Sequence, residues 1–104
     1  MQGRIGDSRL KVTVEYLGYL KQTLGVEQGE HPTLKEDAVM RDLLVLLAEK
    51  HGDPFQKTVY TPDDAELKPH YIFSLNGLLR QSTDLETKLK DGDHVVFMPV
   101  VTGG

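Results

Sequence analysis

Residues 10 to 16, Leu-Lys-Val-Thr-Val-Glu-Tyr, alternate strictly. Leu10, Val12, Val14 and Tyr16 fall on one side and Lys11, Thr13 and Glu15 on the other, which predicts a half-buried strand. Gly18 follows it, then Leu20 and Leu24 at helical spacing, and Gly25 ends that turn. Residues 26 to 34 read as a weak second strand, placed at an edge because Gly29 and Pro32 both disfavour a central position. The strongest helix pattern covers residues 38 to 51. Val39, Leu43, Leu46 and Leu47 recur at helical intervals, with Met40 and Leu44 widening the stripe. Asp37 is a plausible N-cap, Lys50 and His51 suit the negative end of the helix dipole, and Gly52 is placed to take a positive-φ stop.

Residues 53 to 69 contain Pro54, Pro62 and Pro69 and the pair Asp63-Asp64, a pattern that predicts a long loop anchored by Phe55, Val59 and Leu67. Residues 70 to 75 form a strand, Asn76-Gly77 signals a two-residue hairpin, and Leu78-Leu79-Arg80 is its short return. Asp84 to Leu89 fits one helical turn, Asp91-Gly92-Asp93 a tight turn, and residues 94 to 99 the last strand. The first and last strands are the most apolar, so they are expected side by side at the centre. A hairpin, a crossover helix on one face and further strands give an α+β roll with a mixed sheet and one main helix, the β-grasp (ubiquitin-like) arrangement. The expected division is a disordered leader over residues 1 to 9, a domain over 10 to 99, and a flexible Gly-Gly tail over 100 to 104.

Composition removes several function classes. The 104 residues carry a net charge of −4, which gives no general attraction to nucleic acid or anionic lipid. Cysteine is absent, so disulfides, thiolate metal sites and a cysteine nucleophile are excluded. The longest apolar run, Leu43 to Ala48, is far too short for a bilayer, and the first residues lack the apolar stretch of a secretory signal. A small cytoplasmic domain is the expectation.

Catalytic chemistry is hard to assemble from what remains. His31, His51, His70 and His94 have no partners at metal-ligand spacing, and Asp91-Gly92-Asp93 is too short for a calcium loop. Ser74 and Ser82 lack a nucleophile setting, and no glycine-rich phosphate loop occurs, so no metal or bound cofactor is expected. The end of the chain is more informative. Thr102-Gly103-Gly104 follows directly on an apolar strand. Without Cβ atoms, a Gly-Gly pair can enter a narrow tunnel in another protein and present a bare carboxylate. The bland alternative is a frayed end that happens to contain glycine. In the last strand Val95 and Phe97 share one face, while Val96, Met98 and Val100 share the other. If the helix covers Val95 and Phe97, packing them on Val39, Leu43 and Leu47, the second set is an exposed apolar stripe suited to partner docking. The alternative is that the 53 to 69 segment folds over it.

Phe73-Ser74-Leu75-Asn76-Gly77, together with the run from Leu89-Lys90-Asp91-Gly92-Asp93 through Pro99-Val100-Val101-Thr102-Gly103-Gly104, resembles the small subunit of molybdopterin synthase and related ubiquitin-like sulfur carriers. The opening strand and the main helix fit the same pattern, so the resemblance covers residues 10 to 104. It implies a β-grasp fold and a co-substrate rather than an enzyme. It also implies that an activating enzyme adenylates the Gly104 carboxylate with ATP. A sulfurtransferase or other persulfide donor then converts it to a thiocarboxylate, and the tail enters the molybdopterin synthase large subunit. Other members serve thiamine, cysteine or tRNA thiolation, or are conjugated to protein lysines. The 53 to 69 segment and the leader are longer than in the shortest carriers. A third possibility is a non-conjugating interaction domain whose Gly-Gly is incidental.

Overall fold

The computed structural model describes residues 9–63, 66–80 and 84–100. The alternating opening segment forms two consecutive strands, β1 (Arg9–Lys11) and β2 (Thr13–Tyr16). Leu10, Val12, Val14 and Tyr16 are all buried, as the alternation predicts. A short helix α1 (Leu20–Thr23) follows and ends at Gly25, whose φ is 72°. The second strand lies later than its sequence pattern suggests. It is β3 (Thr33–Lys35), antiparallel to β1 with Leu10 opposite Leu34. Earlier in the segment Glu30 exchanges both main-chain bonds with Val14 at 2.8 and 2.9 Å, and the Pro32 carbonyl accepts from the Val12 N–H at 3.2 Å. Gly29, at φ 80°, turns the chain there and delays the strand.

Helix α2 (Met40–His51) carries the main apolar stripe. Its N-terminus differs from the expected one. Asp37 is exposed and does not cap it; the cap position is Val39, whose N–H donates to the Asp42 carboxylate at 2.8 Å. An acid in the first turn reaches back to the orphan amide, which also suits the helix dipole. The buried stripe is Met40, Leu43, Leu44, Leu47 and Ala48, rotated from the expected one, so that Val39 and Leu46 are only half-buried. Val39 therefore does not pack beneath the last strand; it bridges to Lys88 instead.

The stretch from 53 to 69 is the largest correction. After Gly52, at φ 71°, the chain re-enters a helix, α3 (Asp53–Thr58), then forms a small antiparallel pair, β4 (Tyr60–Thr61) and β5 (Glu66–Leu67). Pro54 sits in the first turn of α3, where its missing N–H and fixed φ cost nothing. Read as a breaker in the sequence, it is a helix starter in the fold. Phe55 and Val59 are fully buried anchors, Leu67 is partly buried, and Tyr60 joins the core.

Then come β6 (Tyr71–Leu75), β7 (Leu78–Arg80) and β8 (His94–Pro99). Asn76 (φ 53°) and Gly77 (φ 89°) make the tight hairpin, as their sequence signals. Residues 84 to 87 form a single turn, as their pattern suggests, closed by the Thr87 N–H on the Asp84 carbonyl, with Leu85 and Leu89 buried. The main sheet has the order β2-β8-β6-β7, with β2 parallel and β6 antiparallel to β8. The last strand is therefore central. The first strand lies beside it, but at the end of this sheet, its outer edge met by Glu30. Asp91-Gly92-Asp93 ties three segments together. The Asp91 carboxylate accepts from the Lys11 N–H, and the Asp93 carboxylate accepts from the Lys90 N–H and the Asn76 amide, each within 2.9 Å.

Two acids are buried among the described residues, Asp93 in the turn above and Glu30 beside the end of α2. Glu30 is only 7% exposed, and its carboxylate accepts from the Tyr16 hydroxyl (2.6 Å), Lys50 Nζ (2.6 Å) and His51 Nε2 (2.8 Å). It thereby joins β2, the loop before β3 and the end of α2. Burial opposes its ionisation, but the hydrogen bonds from Lys50, Tyr16 and His51 outweigh that and hold its pKa below the ordinary 4.5. The same burial, with the carboxylate beside it, pushes the Tyr16 hydroxyl well above the tyrosine range. A depressed folded pKa stabilises the protein above the unfolded value, and that contribution is lost as pH falls through the folded pKa. Glu30→Gln should therefore destabilise the domain by about 1.5–3 kcal/mol at pH 7. The difference from wild type should shrink as pH drops below 4.5 and toward the folded pKa. Urea melts of both proteins across that range check it; a pH-independent gap would refute the assignment.

Candidate docking face and tail exit

Strand parity divides β8 cleanly. Val95 and Phe97 are fully buried, Val96 and Met98 are partly exposed, and Val100, just past the strand, is 38% exposed. Phe97 stacks on Tyr16 with ring centroids 5.5 Å apart and meets Phe55 edge-on at 5.9 Å. It shares one core with Leu43 and Leu47. The register puts Ile72 beside Met98, and Ser74 and Glu15 beside Val96, on the outer face; Leu79 lies beside Ser74 there. Leu79 is 65% exposed and Leu17, which continues the ladder past β2, is 43% exposed. The described part of the 53 to 69 segment does not cover this face. It turns to the opposite side, where Phe55 packs against Phe97. The result is a largely apolar face with a polar rim that includes His94 Nε2 to the Glu15 carboxylate at 2.8 Å.

The histidines are scattered. His31 meets the Thr13 hydroxyl, His51 meets Glu30, His94 meets Glu15, and His70 is exposed. Among the described residues no group of three or more His, Cys, Asp or Glu is placed to hold a metal ion, and no helix is long and apolar enough to cross a membrane.

At the end of β8 the chain is held one residue beyond Pro99, because the Val100 N–H donates to the His70 carbonyl at 3.0 Å. Pro99 has no N–H to donate, and the next amide resumes the ladder. Thr102, Gly103 and Gly104 lie outside the described residues. Val100 opens onto a cleft of about 430 Å³ lined by Tyr19, Pro69, His70, Tyr71 and Pro99. None of these was singled out in the sequence as a site. Only Gly18, standing directly after an alternating strand, hinted that the backbone is closely approached there.

The fold has counterparts among known proteins. The model of the ThiS family matches residues 14–104. The chain belongs to the ThiS family. A relative from Archaeoglobus fulgidus, named "Putative sulfur carrier protein", is 31% identical over 80 residues, spanning 76% of this chain and 89% of its own. The solved structure of "Putative molybdopterin converting factor, subunit 1" from Pyrococcus furiosus is 30% identical. It covers 88% of this chain and 99% of its own, with a TM-score of 0.68. SAMP1 from Haloferax volcanii shares the fold at 24% identity and a TM-score of 0.70, covering 90% of this chain and 99% of its own. The fold is thus the β-grasp roll expected from the sequence. As a ThiS-family protein the chain is a small ubiquitin-like sulfur carrier, a co-substrate rather than an enzyme.

The two faces of β8 should respond oppositely to substitution. Phe97→Ala truncates a fully buried ring and should cost about 3–5 kcal/mol. Met98→Asp places a charge on the solvent side and should cost less than about 1 kcal/mol. Thermal and urea melts compare them directly. Unfolding by Met98→Asp with a silent Phe97→Ala would reverse the assignment of faces.

Proposed function

We propose that this carrier delivers sulfur in the synthesis of the molybdopterin-type cofactor of molybdenum or tungsten enzymes, with the C-terminal carboxylate of Gly104 as the sulfur-bearing group. The observation that carries this reading is the central place of β8, the strand that precedes Thr102-Gly103-Gly104 in the sequence, in a chain of this family. The 30% identity with the Pyrococcus furiosus protein supports this pathway over the others.

The chemistry follows from the poor reactivity of a free carboxylate. A Gly104 oxygen attacks the α-phosphorus of ATP on an activating enzyme, a P–O bond forms, and pyrophosphate leaves. The terminal sulfur of a persulfide then attacks the acyl carbon and AMP leaves, giving an acyl disulfide. A thiol of the donor system cleaves the S–S bond, leaving the thiocarboxylate on Gly104 and a disulfide on the donor side. The phosphate site and its cations belong to the activating enzyme, where fixed positive charge stabilises the transition state. What this chain contributes is a surface and a reach. Val96 and Met98, with Val100 at the exit, dock on the activating enzyme and then on the large subunit of the synthase. The side-chain-free pair passes into each active site.

Incubation with the cognate activating enzyme, ATP and a persulfide donor should replace one carboxylate oxygen by sulfur, read as a mass shift on the C-terminal peptide. Removal of Gly103 and Gly104 should abolish it. Met98→Asp should weaken binding to the activating enzyme by about 1–3 kcal/mol, because the charge is buried unpaired at the interface. No mass shift on the intact chain would overturn the proposal. Thr-Gly-Gly isopeptide remnants on host lysines, with no sulfur transfer to a pterin precursor, would replace it with a protein-modifier role.

A further inference from the structure

The inner side of the sheet is not covered across its whole width. The register sets Leu78 opposite Leu75 and Arg80 opposite Phe73, so both share the side that faces the core. Leu78 is nonetheless 66% exposed. With Leu75, Arg80, Lys88 and Lys90 it lines a cleft of about 310 Å³. Three cations at one cleft reverse the sign of a chain whose net charge is −4. They are weakly answered. Arg80 Nε is buried without a hydrogen-bond partner, and the Asp84 carboxylate stands 4.0 Å from Nη1, beyond hydrogen-bonding distance. Lys88 and Lys90 are exposed and make no ion pair among the described residues. Asp93 also lines the cleft, but its two oxygens accept from the Asn76 amide and the Lys90 N–H. Nearby, Asp91 accepts from the Lys11 N–H and Glu86 is held by Arg41.

We propose that this cleft docks an acidic segment of a partner protein, one that sets a carboxylate among Arg80, Lys88 and Lys90 and an apolar side chain against Leu75 and Leu78. Charge complementarity selects the occupant. A second copy of this chain, applied cleft to cleft, would bring the same three cations against their images. A nucleic acid would find cations for its phosphates but no aromatic side chain among the lining residues on which to stack a base. The site is separate from the docking face. Val96 and Met98 lie on the other side of the sheet. Leu75 pairs with Val95 at the start of β8, about 17 Å along the strand from Val100. An occupant of the cleft therefore leaves both the apolar face and Val100 open.

The probe is a synthetic peptide, acetyl-Glu-Asp-Leu-Leu-Asp-Glu-amide, titrated into the isotope-labelled full-length chain; no activating enzyme enters the experiment. Amide resonances of Leu78, Arg80, Lys88 and Lys90 should shift saturably, and those of Val96 and Met98 should stay in place. The double variant Lys88→Glu, Lys90→Glu alters two exposed positions and should weaken the peptide at least about tenfold. Leu78→Ser should weaken it about three- to tenfold, whereas Met98→Asp should stay within about twofold of wild type. The counterpart peptide with lysine in place of every acid should not bind. No saturable shift at the cleft, shifts confined to Val96 and Met98, or equal affinity of wild type and the double variant overturns the proposal. Movement of the cleft amides with protein concentration alone overturns it too, and makes the cleft a self-association surface. Tighter binding of an oligothymidine than of the peptide overturns it in favour of a nucleic-acid site.

Discussion

Strands that run parallel side by side cannot be joined by a short turn. Here β2 and β8 are parallel neighbours, with Val14 opposite Val95 and Tyr16 opposite Phe97. The chain must leave the sheet after β2 and return, laying down β6 and β7 before β8 fills the place beside β2. Helix α2 provides that crossing on the inner face, and α3 with β4 and β5 extends the same layer. Once the crossover lies on one side, period-two alternation decides which face each residue of the central strands takes. Tyr16, Phe73 and Phe97 go into the core; Glu15, Ile72, Val96 and Met98 stay on the side facing water.

The same parallel pairing also brings the carboxyl ends of two distant strands together. Gly18, just beyond β2, therefore touches Pro99 at the end of β8, and Tyr71 at the antiparallel start of β6 closes the third side. The tail exit is a junction of three strand ends, placed there by topology. The apolar outer face and Val100 share β8, so the two lie on one rigid element. Fold and function meet in that strand.

Glu30 supports the junction from below. Its main chain edges β2 at Val14, and its carboxylate fixes Tyr16, whose ring stacks on Phe97. A buried carboxylate with both oxygens hydrogen-bonded is a specific link, because losing one partner strands a charge in a low-dielectric setting. It holds the N-terminal strands to the end of α2 without any disulfide, in a chain that has no cysteine.

The sequence by itself determined what depends on neighbours along the chain. Alternation at residues 10 to 16 and 94 to 99, the Asn76-Gly77 turn, the Asp91-Gly92-Asp93 turn and the apolar stripe of the main helix are local patterns, and each is present in the fold. Together with the Gly-Gly end they were enough to suggest the architecture and the family. Tertiary structure decided the rest. Pro54 reads equally as a loop residue or a helix starter, and the burial of Phe55, Val59 and Tyr60 settles it. The capping acid is Asp42 rather than Asp37, because the helix begins where Met40 can enter the core. The Glu30 cluster and the contact of Gly18 with Pro99 were not legible, since their members lie between 14 residues (Tyr16 and Glu30) and 81 residues (Gly18 and Pro99) apart in the chain. A period reports which face a residue takes, but only the packed strands bring distant side chains within hydrogen-bonding reach.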